Sequence, residues 1–289
     1  MNINKPIFII GSGRSGTTIL YKLLSTHPNV CWFSNYINIF PKCSYINIFN
    51  RTLDVPFLGP RFKKSIMGRK TWAIIPRPVE ADYLYHKYCR FEELKKTTEE
   101  NFSLELENKF KNIIKNLLVY TKKSRFLSKQ TANTQRIRLI NKMFPDAYYI
   151  HIIRDGRAVA NSLINVSWWE DMNIWWLGYS PRKWEEMGKD PIKLCGLHWK
   201  HNLEEILKNK YLFEDRYIEL RYEELIQNTR NTLYRITDFC KLSWPDNYKK
   251  IIPKKLFNMN YKWKKQLTKK QIEVLNETLS KELNNLGYN

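Results

Sequence analysis

The chain has 289 residues, 43% hydrophobic and 14% aromatic, which is enough apolar surface for a sizeable core and excludes a disordered segment. Lys and Arg outnumber Asp and Glu by 49 to 28, and the formal charge of +21 selects anionic partners: nucleotides, phosphorylated or sulfated acceptors, nucleic acid or an acidic membrane. The excess is spread along the chain and not gathered in a tail, which speaks against nucleic acid, and the five scattered cysteines hold no C-x-x-C pair, so neither a zinc site nor a disulfide framework is expected.

The first strand is expected within a few residues of Met1, with no secretory leader and no apolar run of about 18 residues, so the expectation is a cytoplasmic protein. Ile7, Phe8, Ile9 and Ile10 form a β-branched and aromatic run, the pattern of a strand covered on both faces. Gly11, Ser12, Gly13, Arg14, Ser15, Gly16, Thr17 and Thr18 follow. Ile19, Leu20, Leu23 and Leu24 then keep helical spacing, so a helix is expected from near Ser15, its free N–H groups facing the turn. That is an anion site, and Arg14 adds a planar fork of donors. A triphosphate loop reads G-x-x-x-x-G-K-[ST]. Here Gly11 and Gly16 have that separation, but Thr17 stands where the lysine would be. Such a loop suits one terminal anionic group better than a triphosphate.

Pro28 should end the first helix, and a second strand is expected over 30–33. His27, at the helix end before proline, reads as structural. Residues 36–70 give little periodicity but hold aromatics and the basic cluster Arg61, Lys63, Lys64, Arg69 and Lys70. A short strand is expected over 71–75 and a helix over 79–88. Leu106, Phe110, Ile113, Ile114 and Leu117 mark one face of another helix. The stretch 36–122 is therefore an irregular and helical insertion. Strands are expected over 125–129, 147–153 and 217–220. Helices are expected from a Thr134 cap through Met143, over 155–164 and 194–210, up to Lys241, and over 269–286. Six aromatic residues crowd the stretch 168–184, which reads as a mobile lid beside the acceptor site, with plain core packing as the rival reading. Alternating strands and helices predict an α/β fold: one domain, 1–289, with a parallel sheet flanked by helices.

A second charged motif closes the 147–153 strand: Arg154-Asp155-Gly156-Arg157. Ligands bind at the carboxyl ends of strands in open α/β sheets. Arg154 stands at that edge, and Ser162 follows two turns later on the next helix. An arginine and a hydroxyl together hold a phosphate. Asp155 reads as a helix cap or as the metal-holding carboxylate of an NTPase, and the missing loop lysine opposes the latter. His151, mid-strand, reads as a packed core residue.

The two motifs, in this order and separation, resemble those of sulfotransferases that use 3′-phosphoadenosine 5′-phosphosulfate (PAPS) and release adenosine 3′,5′-bisphosphate. The arginine in the loop resembles the bacterial and Golgi-type branch. The resemblance implies a P-loop-like sulfotransferase fold and transfer of a sulfuryl group to an acceptor hydroxyl or amine, without a metal. It implies that Ser12, Gly13, Arg14, Ser15, Gly16, Thr17 and Thr18 hold the 5′-phosphosulfate, and that Arg154 and Ser162 hold the 3′-phosphate. Lys129, closing Phe126-Leu127-Ser128-Lys129, would face the sulfuryl group, with Asn133 just beyond. Tyr222, in Leu220-Arg221-Tyr222-Glu223-Glu224-Leu225, would lie near the nucleotide. Lys262, Trp263 and Lys264 resemble a loop that closes over PAPS. Arg14, Glu80 and Lys129 are the expected catalytic groups.

Protein-tyrosine sulfotransferases place a glutamate shortly after the second strand, where this chain has Phe33-Ser34-Asn35-Tyr36. The remaining candidate bases are Glu80, Asp82 and His86, and Glu80 is preferred because it opens a helix near the sheet edge. The acceptor is open among carbohydrate, peptide, lipid and small molecule: the basic insertion suggests an anionic one, and the tryptophan-rich stretch a sugar or an aromatic one. Two rival classes stand beside this reading: a P-loop kinase or other phosphotransferase, and a non-catalytic basic nucleic-acid binder.

Overall fold

The computed structural model describes residues 2–40, 43–68, 74–89 and 103–288. Five parallel strands are built from the apolar runs: β1 Ile7–Ile10, β2 Val30–Cys31, β3 Arg125–Lys129, β4 Tyr148–Ile153 and β5 Tyr217–Arg221. Their order is β2-β3-β1-β4-β5. Ile9 is level with Lys129 on one side and with Ile150 on the other. The chain leaves β1 towards β2 and leaves β4 towards β5. Consecutive connections therefore diverge between β1 and β4, which opens a crevice at their carboxyl ends.

The two-residue alternation of strands splits the core across the sheet. Ile7, Ile9, Leu127, Ile150 and Ile152 face one cluster. Phe8, Ile10, Phe126 and Tyr149 face the other, where Phe8 lies edge-on to Phe126 at 6.4 Å. A third cluster joins the helices Gly156–Leu163, Pro191–Asn209 and Lys269–Leu286.

The crossover from β2 to β3 carries the expected insertion. It contains a 3₁₀ helix, Ser44–Asp54, and helices Leu58–Met67, Asp82–Cys89 and Leu104–Thr121. Residues 71–73 of the expected strand, and Arg69 and Lys70, lie outside the described residues, and its last two residues, Ile74 and Ile75, form a turn and a bend, not a strand. An isolated antiparallel bridge, Ser34 to Pro78, ties the insertion to the chain just after β2.

Several boundaries differ from expectation for local reasons. The first helix starts at Thr17, because Gly16 is its cap at φ 95°. The second strand is only Val30–Cys31. The helix to Met143 starts at Ile137, preceded by a 3₁₀ turn capped by the Gln130 side chain. Thr134 caps nothing, because its hydroxyl accepts the buried Gly11 N–H at 3.4 Å. The last helix is Lys269–Leu286 as expected, opened by a Thr268–Gln271 capping box and closed by Gly287 at φ 66°.

Candidate active site

The glycine loop is shaped by two close approaches. Gly11 has φ 146°, and a Cβ there would stand 2.6 Å from the Ile152 carbonyl of β4. At Gly16 a Cβ would stand 2.4 Å from the Tyr222 ring. Arg14 itself has φ 68°, and its side chain is exposed. Its Nε donates to Ser162 Oγ at 2.9 Å. Ser15 is buried, and its hydroxyl has no hydrogen-bond partner among the described residues. The first amides of the helix Thr17–Ser25 have no partner within the helix and face the crevice, as any helix start must.

β4 delivers Arg154 to the other lip. Its Nη1 donates to the Arg14 carbonyl at 3.0 Å and its Nε to Asn260 Oδ1 at 2.9 Å. Its guanidinium lies over the Tyr222 ring at 4.4 Å. Burial lowers its proton affinity below that of an ordinary arginine, while Tyr222 and Glu223 act the other way. Among the described residues, neither Arg14 nor Arg154 forms an ion pair. Two full charges thus rest on a hydroxyl, a side-chain amide and a carbonyl, all neutral acceptors. A cavity of about 320 Å³ over the loop is lined by Arg14, Thr17, Thr18, Arg154, Ser162 and Tyr222. A second, of about 440 Å³, shares Arg14, Arg154 and Ser162 and adds Lys262 and Trp263.

At the end of β3, Lys129 is 3% exposed and its Nζ is bonded to Glu80. The other Glu80 oxygen accepts from the Thr131 N–H at 3.3 Å. The insertion brings Glu80 there through a short ladder. Asn35 N donates to the Arg77 carbonyl at 3.0 Å, the Arg77 N–H donates to Asn35 Oδ1 at 2.9 Å, and Val79 N donates to the Phe33 carbonyl at 3.0 Å. A carboxylate therefore stands beside the segment after β2, although the segment itself contains none. Asp82 is held by Gln130 Nε2 at 2.5 Å.

The remaining candidates separate. Ser12 is buried, its hydroxyl turned to the Gly13 carbonyl at 3.3 Å. Asn133 is buried beside Tyr85. Trp263 packs under the Arg157 guanidinium at 4.5 Å, and exposed Lys264 lines neither cavity. Asp155 caps the helix Gly156–Leu163 through the Arg157 N–H at 2.9 Å and pairs with Arg157 at 3.0 Å. No group of three or more His, Cys, Asp or Glu able to hold a metal occurs among the described residues. His27 is tied at both ring nitrogens, to the Ser243 carbonyl at 2.9 Å and the Asn29 N–H at 3.2 Å.

The expected lid is a packed element. Trp169 is 3% exposed and meets His198 edge-on at 5.1 Å. Trp176 lies on His201 at 4.1 Å, and Trp184 donates to the Asp190 carbonyl at 2.9 Å. Sequence reasoning missed Asn260 and Glu223. Asn260 bridges Arg154 to Glu223, whose other oxygen accepts the Tyr288 hydroxyl at 2.9 Å. Asn260 lies in a stretch without periodicity, and no local signal marks it.

Comparison with known proteins gives the same direction. A family model described as "Sulfotransferase family" matches residues 6–246. Protein-tyrosine sulfotransferase A of Caenorhabditis elegans is 24% identical over an alignment of 246 residues that covers 83% of this chain and 50% of that protein. The chain thus spans half the length of that relative. Sulfotransferase STF9 from Mycobacterium avium superposes with a TM-score of 0.62 at 15% identity, covering 99% of this chain and 77% of the other. Sulfotransferase STF1 from Mycobacterium tuberculosis H37Rv superposes at 0.59 and 14% identity, covering 96% and 76%. These likenesses share the fold, and with a family match that runs from the glycine loop past β5, the chain belongs to the sulfotransferase family.

Proposed function

We propose that this chain, acting as one sulfotransferase domain, transfers a sulfuryl group from PAPS to an acceptor hydroxyl or amine. One observation carries the reading: two guanidiniums without ion-pair partners among the described residues, Arg14 and Arg154, meet across the β1–β4 crevice and flank one cavity. The residues fit an adenosine carrying anions at both ends. The loop amides, Arg14, the unpartnered Ser15 hydroxyl and Thr17 or Thr18 suit the 5′-phosphosulfate. Arg154 and Ser162, with Lys262 in the adjoining cavity, suit the 3′-phosphate. Tyr222 braces the Arg154 guanidinium.

PAPS supplies an activated sulfuryl group. Glu80 removes the acceptor proton, and the acceptor oxygen forms its bond to sulfur as the bond from sulfur to the bridging phosphate oxygen breaks. Arg14 and the loop amides take up the charge that grows on the departing oxygen. Lys129, bonded to Glu80 before the acceptor arrives, orients the carboxylate and then faces the sulfuryl oxygens. The first acceptor to test is a tyrosine side chain, as the name of the nematode relative suggests. The glycine loop lacks the lysine of a triphosphate loop, which weighs against a phosphotransferase.

The test is calorimetric titration without magnesium. Adenosine 3′,5′-bisphosphate should bind more tightly than adenosine 5′-phosphate. Arg154→Ala should cost about 1.5–3 kcal/mol for the bisphosphate and little for the monophosphate. Equal weakening of both would overturn the 3′ assignment.

A further inference from the structure

Nine of the nineteen exposed large apolar side chains among the described residues fall between Ile39 and Ile74. Within the 3₁₀ helix Ser44–Asp54, Asn47, Asn50 and Leu53 face inward at a spacing of three. The same period turns Tyr45, Ile48 and Arg51 outward. The Tyr36 ring meets Phe49 at 5.8 Å, and the Tyr36 hydroxyl donates to the Ile74 carbonyl. The helix Leu58–Met67 abuts the 3₁₀ helix so closely that a Cβ on Gly59 would stand 2.3 Å from the Leu53 carbonyl. Between them Phe57 is 91% exposed at φ 64°. A bulky residue in the left-handed region and a bare aromatic ring both cost free energy.

The charge around this face is one-sided. Arg51, Arg61 and Lys64 are exposed on the same elements. Asp54 is the sole carboxylate in the sequence from 36 to 68, and it is engaged by Lys63 at 3.5 Å and Lys123 at 2.5 Å. Aromatic and aliphatic side chains rimmed by cations, with no free carboxylate among them, match the layered chemistry of an anionic phospholipid surface. We propose that this face docks the protein on such a bilayer, its rings among the headgroups and its basic side chains against the lipid phosphates. The face begins at Ile39, four residues after Asn35, whose bonds to Arg77 lead to Glu80, so docking holds the Lys129–Glu80 pair close to the membrane.

Vesicle flotation at about 0.15 M salt tests this. Wild type should float with vesicles of phosphatidylcholine containing about 30% phosphatidylserine and much less with phosphatidylcholine alone. The Phe49→Ser/Phe57→Ser double variant keeps every charge and should partition at least about tenfold less. Its affinity for adenosine 3′,5′-bisphosphate should equal that of wild type, which reports the fold and the nucleotide site separately from the face. Unchanged flotation of the variant would overturn the proposal, since net charge alone would then account for binding. Failure of wild type to float with the anionic vesicles, or equal flotation with both vesicle types, would also overturn it. Sedimentation showing a dimer that the double variant loses would assign the face to a second copy of this chain instead.

Discussion

Gly16 joins the loop to the bracing ring of the other lip. Its φ of 95° is natural only for glycine, and its missing Cβ makes room for Tyr222, which in turn carries the Arg154 guanidinium. Gly16→Ala should therefore loosen both anion subsites together. We expect a loss of about 1–3 kcal/mol in stability and at least tenfold weaker binding of adenosine 3′,5′-bisphosphate. A melting curve and a titration check this, and unchanged nucleotide affinity would disprove the coupling. Glu80 is the other decisive residue. Glu80→Gln should retain nucleotide affinity and lose about 10²–10⁴-fold in turnover. Near-normal turnover would remove Glu80 from the mechanism, and Asp82→Asn and His86→Gln are the parallel controls.

Among the elements, the tryptophan-rich stretch packs as a wall, the rival of the lid reading. Three of its rings, Trp169, Trp176 and Trp184, are spent on His198, His201 and the Asp190 carbonyl, all on or beside the helix Pro191–Asn209. Trp169→Ala should therefore cost about 3–5 kcal/mol, as core truncation does. Trp168, 49% exposed, should tolerate the same change within about 0.5 kcal/mol. Paired urea titrations separate the two, and equal small losses would restore a mobile element. Sequence period could not have decided this, because a cluster of aromatics reads alike whether its rings meet a ligand or a neighbouring helix. Thr134 teaches the same lesson. A threonine before an apolar run is a natural cap, but the buried Gly11 N–H needed an acceptor and took it.

Across the whole molecule, three buried histidines give stability a defined acid limit. Burial lowers His27, His151 and His198 from the ordinary value of 6.5 to about 4 each. Their neutral forms are the folded ones. Below pH 6.5 the unfolded chain takes up protons that the folded chain refuses, so stability is full above that value and falls as pH drops towards 4. The urea midpoint should be flat from about pH 7 to 8 and decline through the window from 6.5 to 4. Proton NMR should find these three rings still neutral at about pH 5, and protonated rings there in the folded protein would contradict the assignment.

The sequence by itself determined β1, β3, β4 and β5, the glycine loop and the Arg154 motif. These are local devices: apolar runs fix strands, glycines fix a turn, and a charged residue at a strand end falls at the ligand edge of a parallel sheet. Phe8 to Ile10 needed no context to read as interior, and Arg14 needed only its loop. The tertiary structure alone decided what meets across distance. Asn260 reaches Arg154 from 106 residues away, and Glu80 reaches Lys129 from 49. Neither pairing leaves a period or a spacing in the chain, because each depends on how the insertion and the segment after β5 fold back over the sheet.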